Sequence, residues 1–180
     1  MSKEQTTTQV FTKLAMSVAI LIAGGYAIFS VGGYFPLPGI KYLLMAPYLS
    51  LIIAVVMKAI KIKYVVLKMS TVFALIMSVI NIYMGLAIFL TGLCTQIVTM
   101  LLANFRYQVQ VGAATYSSFS VCIALIVSRV FIGGPIFERI SLCWIILAAF
   151  IAFIFGLIGS NLGNKIGNKV NKAMKQSNNQ

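Results

Sequence analysis

Residues 64–103 read YVVLKMSTVFALIMSVINIYMGLAIFLTGLCTQIVTMLLA. Two apolar runs, Tyr64–Ile80 and Met84–Ala103, are broken only by Asn81-Ile82-Tyr83. Each run approaches the roughly 20 apolar residues that a helix needs to cross a hydrocarbon core about 30 Å thick. So short a break leaves room only for a tight helical hairpin. Working outward, four further runs carry the same density: Leu14–Gly32, Tyr42–Met57, Val109–Phe131 and Ile140–Ser160. The fold expected is an all-α integral membrane protein, a bundle of six transmembrane helices.

Tyr42–Met57 is the short one and contains Pro47, so a kinked segment or one tilted into a cavity is expected there. The first 13 residues and the last 15 are polar tails too short to fold alone. No polar linker marks a second domain, and residues 1–180 read as a single membrane domain. Leu14–Gly32 is longer than the apolar stretch of a signal peptide and lacks a small-x-small cleavage site before a soluble chain, so it is read as a retained span.

Composition supports the membrane reading and removes much chemistry. Hydrophobic residues make up 61% of the chain and charged residues 9%, with mean hydropathy +1.00. Soluble chains carry roughly 25% charged residues. Histidine and aspartate are absent, and the acids are Glu4 and Glu138 alone. A His-ligated metal, a Ser-His-Asp triad and a carboxylate pair for acid–base work cannot be assembled from this set. An enzyme is not expected, and neither a cofactor nor a metal is called for. Gly163-Asn164-Lys165-Ile166-Gly167-Asn168-Lys169 lacks the spacing and the Lys-Ser/Thr ending of a phosphate loop. Energy for uphill transport would therefore come from another subunit.

The net charge of +12 is informative by position. With the N-terminus inside, six spans put both termini in the cytoplasm. The inside segments then hold Lys3, Lys13, Lys58, Lys61, Lys63, Lys68, Arg106, Lys165, Lys169, Lys172 and Lys175, against Lys41, Arg129 and Arg139 outside. Eleven against three is the bias that orients membrane proteins. These lysines set topology and meet anionic headgroups of the bilayer. No aromatic-interleaved soluble basic face is present for nucleic acid, which is not expected as a partner. Interfacial snorkelling, or pairing with Glu138, accounts for each outer cation taken singly. Their convergence on one side points to a binding cavity open to the exterior.

Ala15, Ala19 and Ala23 form a smooth small-residue stripe on the first span, which suits either internal packing or an external partner. Gly159, Gly163 and Gly167 repeat the spacing among Asn161, Asn164, Lys165, Asn168 and Lys169, and read as a wet helical exit. Cys94, Cys122 and Cys143 share no ligand or redox spacing and read as small core fillers. Aromatics cluster at the outer ends, among them Tyr26, Tyr34, Tyr83, Phe131 and Trp144, as an interfacial belt or as pocket walls. Asn81, Thr91, Thr95 and Gln96 supply hydrogen-bonding groups for neighbouring helices or for a ligand.

Three local features, together with the size and six helices, resemble the substrate-binding S components of energy-coupling factor (ECF) transporters, the bacterial vitamin-uptake systems. They are the Ala15-x3-Ala19-x3-Ala23 stripe, the outer turn Phe35-Pro36-Leu37-Pro38-Gly39-Ile40-Lys41 and the glycine-rich exit Gly156–Gly163. The resemblance implies a multi-pass protein of the bacterial cell membrane that captures a small-molecule metabolite. It implies docking by Ala15, Ala19 and Ala23 onto a transmembrane T component driven by two ATPase subunits, with toppling in the membrane to release substrate. It places substrate in the outer half, under the first outer loop and among helices four to six. Carried onto this chain, the ligand-binding positions are Tyr34, Lys41, Asn81, Tyr83, Arg129, Arg139 and Trp144. The N-terminal metal-binding histidine of the nickel and cobalt branch is missing. Three outer cations beside one acid favour a neutral or anionic ligand, bound through charge-assisted hydrogen bonds. Two other readings suit a chain of this kind: a scaffold resembling the cell-shape protein MreD, and a stand-alone facilitator.

Overall fold

The computed structural model describes residues 7–34, 40–60, 62–133 and 141–177, which are helical apart from short connections. In chain order the helices are α1 (Thr7–Gly32), α2 (Ile40–Ala59), α3 (Val65–Ile80), α4 (Ile82–Leu101), α5 (Gln108–Val127) and α6 (Leu142–Ser177). A π-helical segment, Ser128–Ile132, carries α5 onward and closes with the Gly133 N–H donating to the Ser128 carbonyl at 3.0 Å. Five of the six helices, all but α3, are long and apolar enough to cross a membrane, which marks a multi-pass membrane protein. The 16 residues of α3 reach only about 24 Å at 1.5 Å per residue.

Several boundaries differ from the sequence expectation. The segment around Pro47 is not the short one: α2 has 20 residues, and Pro47 stands inside it. Proline cannot donate to the preceding turn, but packed neighbours preserve the helix as they do in other membrane bundles. α2 is in fact central, packed against α1, α5 and α6. The expected polar tails are partly helix. Thr7–Lys13 opens α1, and α6 continues unbroken for 36 residues to Ser177.

Close approach by small residues holds the bundle together. The α3–α4 hairpin runs in antiparallel register: a Cβ on Gly85 would lie 2.6 Å from the Ser78 Cβ, and one on Gly92 2.5 Å from the Ser70 hydroxyl. One turn further, the Leu67 N–H donates to Gln96 Oε1 at 3.3 Å. α5 and α6 are antiparallel too, joined by Ser118 donating to the Ala149 carbonyl (2.9 Å) and Ser117 to that of Ala152 (3.1 Å).

α2 and α6 run parallel, and here the glycine stripe is placed differently from expectation. Gly159, Gly163 and Gly167 are all buried, against Pro47, Leu51–Ala54 and Val55–Lys58 in turn. The stripe is therefore a helix–helix seam and not a wet exit, and among the polar neighbours Asn161, Lys165, Asn168 and Lys169 are exposed. The polar neighbours mislead because a helix sorts its faces by angle and not by local composition. Buried Ser50 stitches the same seam by donating to the Gly156 carbonyl at 2.6 Å. In lipid, where apolar surface alone gives helices no reason to associate, tight packing and such bonds supply the cohesion, each bond contributing about 0.6 kcal/mol.

The main core joins Leu14, Val18 and Leu21 of α1 to Ile53 and Val56 of α2, Met69 and Phe73 of α3, and Tyr116 of α5. A smaller cluster of Ala46, Val121, Leu125, Ile145 and Ala152 joins α2, α5 and α6. A cavity lies at one end of the bundle.

Candidate functional site

That end gathers the C-terminus of α1, the N-terminus of α2, the α3–α4 turn and the end of α5. Between them lies a cavity of about 260 Å³, lined by residues of α1 to α5. At its mouth the chain makes a close crossing. Buried Gly32 ends α1 directly against the start of α2, where a Cβ would come within 2.8 Å of the Lys41 Cβ. Glycine there lets the two helix ends touch, which delivers Lys41 to the mouth of the cavity.

The Lys41 ammonium sits 4.5 Å from the centre of the Phe29 ring and 5.6 Å from that of Tyr42. Such cation–π contacts contribute between about 0.5 and 2 kcal/mol, more as water is excluded. Lys41 is half-buried and, among the described residues, is the one charged side chain lining the cavity. Glu4 and Glu138, the chain's two acids, lie outside the described residues, so no described residue brings negative charge to it.

Across the mouth stands Asn81, the single residue between α3 and α4. Its extended backbone (φ −153°, ψ 118°) reverses the chain. Its N–H closes α3 on the Met77 carbonyl at 3.0 Å, while Oδ1 accepts from the Tyr83 and Met84 N–H groups at 2.9 and 3.4 Å. With Oδ1 so committed, the donors of its amide are what it offers a ligand. Tyr83 follows on the rim, stacked on Phe131 of the π-helical segment with ring centres 5.0 Å apart at 22°.

Below the rim the walls are apolar, with Met45 and Leu49 from α2, Phe73 from α3 and Ile88 from α4. The floor is polar again. Buried Tyr116 accepts a hydrogen bond from Ser70 at 3.3 Å, and Thr91 donates back to the Ala87 carbonyl at 2.8 Å. Both line the cavity, as does half-buried Ser120. The arrangement is a slot with a cation and an amide at the mouth, apolar sides and hydroxyls at the bottom.

Of the seven expected ligand positions, Lys41, Asn81 and Tyr83 come together on this cavity. Tyr34, Arg129 and Trp144 are exposed and do not line it, although Ser128, the neighbour of Arg129, does. Arg139 lies outside the described residues, as do Glu138, residues 35–39 of the outer turn and both expected pairings of Glu138. The cavity uses α1–α5 and no residue of α6, so it sits nearer the start of the chain than the resemblance implies. Tyr116 and Ser70 were not picked out from sequence. A signal existed, since Tyr116 is the one large side chain in the run Gly112-Ala113-Ala114-Thr115-Tyr116-Ser117-Ser118.

Ala15, Ala19 and Ala23 are all exposed, on a side of α1 turned away from its buried Leu14, Val18 and Leu21. Among the described residues no helix covers them. Cys94 and Cys122 are half-buried, whereas Cys143 is exposed and so fills no core. Among the described residues no group of His, Cys, Asp or Glu is placed to hold a metal.

Comparison with family models, with curated proteins and with solved structures finds no match for the chain.

Proposed function

We propose that this protein is the substrate-capture subunit of an ECF-type importer. It takes a small neutral-to-anionic metabolite from outside a bacterial cell into the cavity, for delivery by a T component and two ATPases. The observation that carries the reading is the cavity: lined by five helices, with hydroxyls at its floor and, among the described residues, one cation. A scaffold has no use for such a slot. It opens at the end with fewer cations, which the positive-inside rule assigns to the exterior. In this reading the termini are cytoplasmic and short α3 makes up the sixth span, shielded by its pairing with α4. The uncovered alanine stripe offers the T component a close-packing face. Transport energy comes from those partners, because the membrane segments contain no acid for proton or sodium coupling.

The test is native mass spectrometry of gently solubilised protein from its own cell. Two ATPases and a multi-helix membrane subunit should co-purify, and Ala19→Leu should release them while leaving the bundle folded. Recovery of wall-synthesis or cytoskeletal proteins instead would support the scaffold. Uptake by the chain alone in liposomes would support a facilitator.

A further inference from the structure

We propose that the cavity selects a small organic monoanion, a carboxylate whose charge seats on Lys41 and whose apolar body lies between Met45, Phe73 and Tyr83. The proposal rests on the reading that this cavity is the ligand site, but not on which partners the protein has.

Charge decides the class. Among the described residues Lys41 is the sole charged one on the lining, and its ammonium stands over the rings of Phe29 and Tyr42. Aromatic faces attract a cation through a quadrupole, which a full negative charge outcompetes at hydrogen-bond distance. The Asn81 amide stands on the same mouth with donors to spare, since its oxygen is held by two backbone N–H groups. A carboxylate thus meets donors from two sides. A cationic ligand would bring its charge against Lys41 with no acid on the described lining to offset it. A phosphate monoester, carrying about −1.5 to −2 at neutral pH, would leave charge uncompensated.

Shape and polarity narrow the class further. The volume of about 260 Å³ lies below the roughly 300–1,000 Å³ usual for drug-sized ligands, which suits one or two fused rings. At the floor, Tyr116, Thr91 and Ser120 sit opposite the cation, so a ligand with a hydroxyl or ring nitrogen at its far end satisfies both poles.

The experiment uses the purified full-length chain and three matched sets: benzoate, 3-phenylpropionate and indole-3-acetate, each with its amide and the corresponding amine. Calorimetry and thermal unfolding read binding. At least one carboxylate should bind about tenfold or more tighter than its amide, equivalent to about 1.4 kcal/mol, and the amine should bind less well than either. Lys41→Met should abolish the acid-over-amide preference and Lys41→Arg should keep it. Lys63→Met, at the opposite end, should leave it untouched. Lys41→Gln serves where the methionine variant fails to fold, and the acid–amide comparison on the unaltered chain needs no variant. Equal binding of acid and amide, absence of carboxylate binding, or a preference that survives in folded Lys41→Met overturns the proposal. Those outcomes leave the co-purification test standing, and loss of the ATPase partners leaves the anion preference standing.

Discussion

At the scale of single residues, Gly163 and Gly25 contrast two buried helical glycines. A Cβ on Gly163 would meet the backbone of α2, 3.1 Å from the Leu51 carbonyl carbon and 2.9 Å from the Ala54 Cβ. A Cβ on Gly25 would meet only the end of the Met45 side chain, at 3.3 Å. Backbone cannot step aside, whereas a methionine tip can swing. Gly163→Ala should therefore cost about 1–3 kcal/mol, the usual penalty of overpacking. Gly25→Ala should stay within about 0.5 kcal/mol. Thermal unfolding in detergent separates them, and equal melting points for the two variants would refute the α2–α6 seam.

Asn81 works at the scale of elements, because it ends one helix and starts the next. Replacing it with alanine removes both cap bonds and should cost about 1 kcal/mol. Asn81→Asp retains the capping oxygen and should hold stability near that of the unaltered chain. It also sets a carboxylate on the same cavity mouth as Lys41, so carboxylate affinity should fall by about tenfold or more while melting stays put. A fall in melting with no change in affinity would mean that Asn81 serves the turn alone.

This turn was the most legible part of the sequence, because a polar residue between two apolar runs has few other uses. Lys41 was legible for a similar reason, being a cation stranded on the wrong side of a charge pattern. The α2–α6 seam was not legible, since Gly159, Gly163 and Gly167 sit among asparagines and lysines and only the partner helix reveals which face they occupy. Nor was the central place of α2, because Pro47 argues against a regular helix until its neighbours are known. Tyr116 was hidden by distance along the chain, since its partner Ser70 lies 46 residues away.

At the scale of the whole molecule, the cations sort by end. Lys13, Lys58, Lys63, Lys68, Arg106, Lys165 and Lys169 occupy the end where α1 and α5 begin and α2 finishes. Among the described residues, the cavity end has Lys41 and Arg129. On the proposed reading, anionic headgroups and the insertion machinery should hold the richer end in the cytoplasm, so the cavity should open outward. The chain's own cysteines allow a direct reading. Cys143 is exposed at the start of α6, on the cavity end, while Cys94 and Cys122 are half-buried and can be replaced by alanine. Lys63→Cys adds an exposed thiol at the basic end. A membrane-impermeant maleimide applied to intact cells should label Cys143 and spare the position-63 thiol, which should react only after permeabilisation. The reverse pattern would turn the cavity toward the cytoplasm and remove it as a capture site for external substrate. Replacing Lys58, Lys63 and Lys68 together with glutamine weakens the bias while leaving the buried core unaltered. A fraction of molecules should then label at position 63 in intact cells, which would tie orientation to charge and not to the cavity itself.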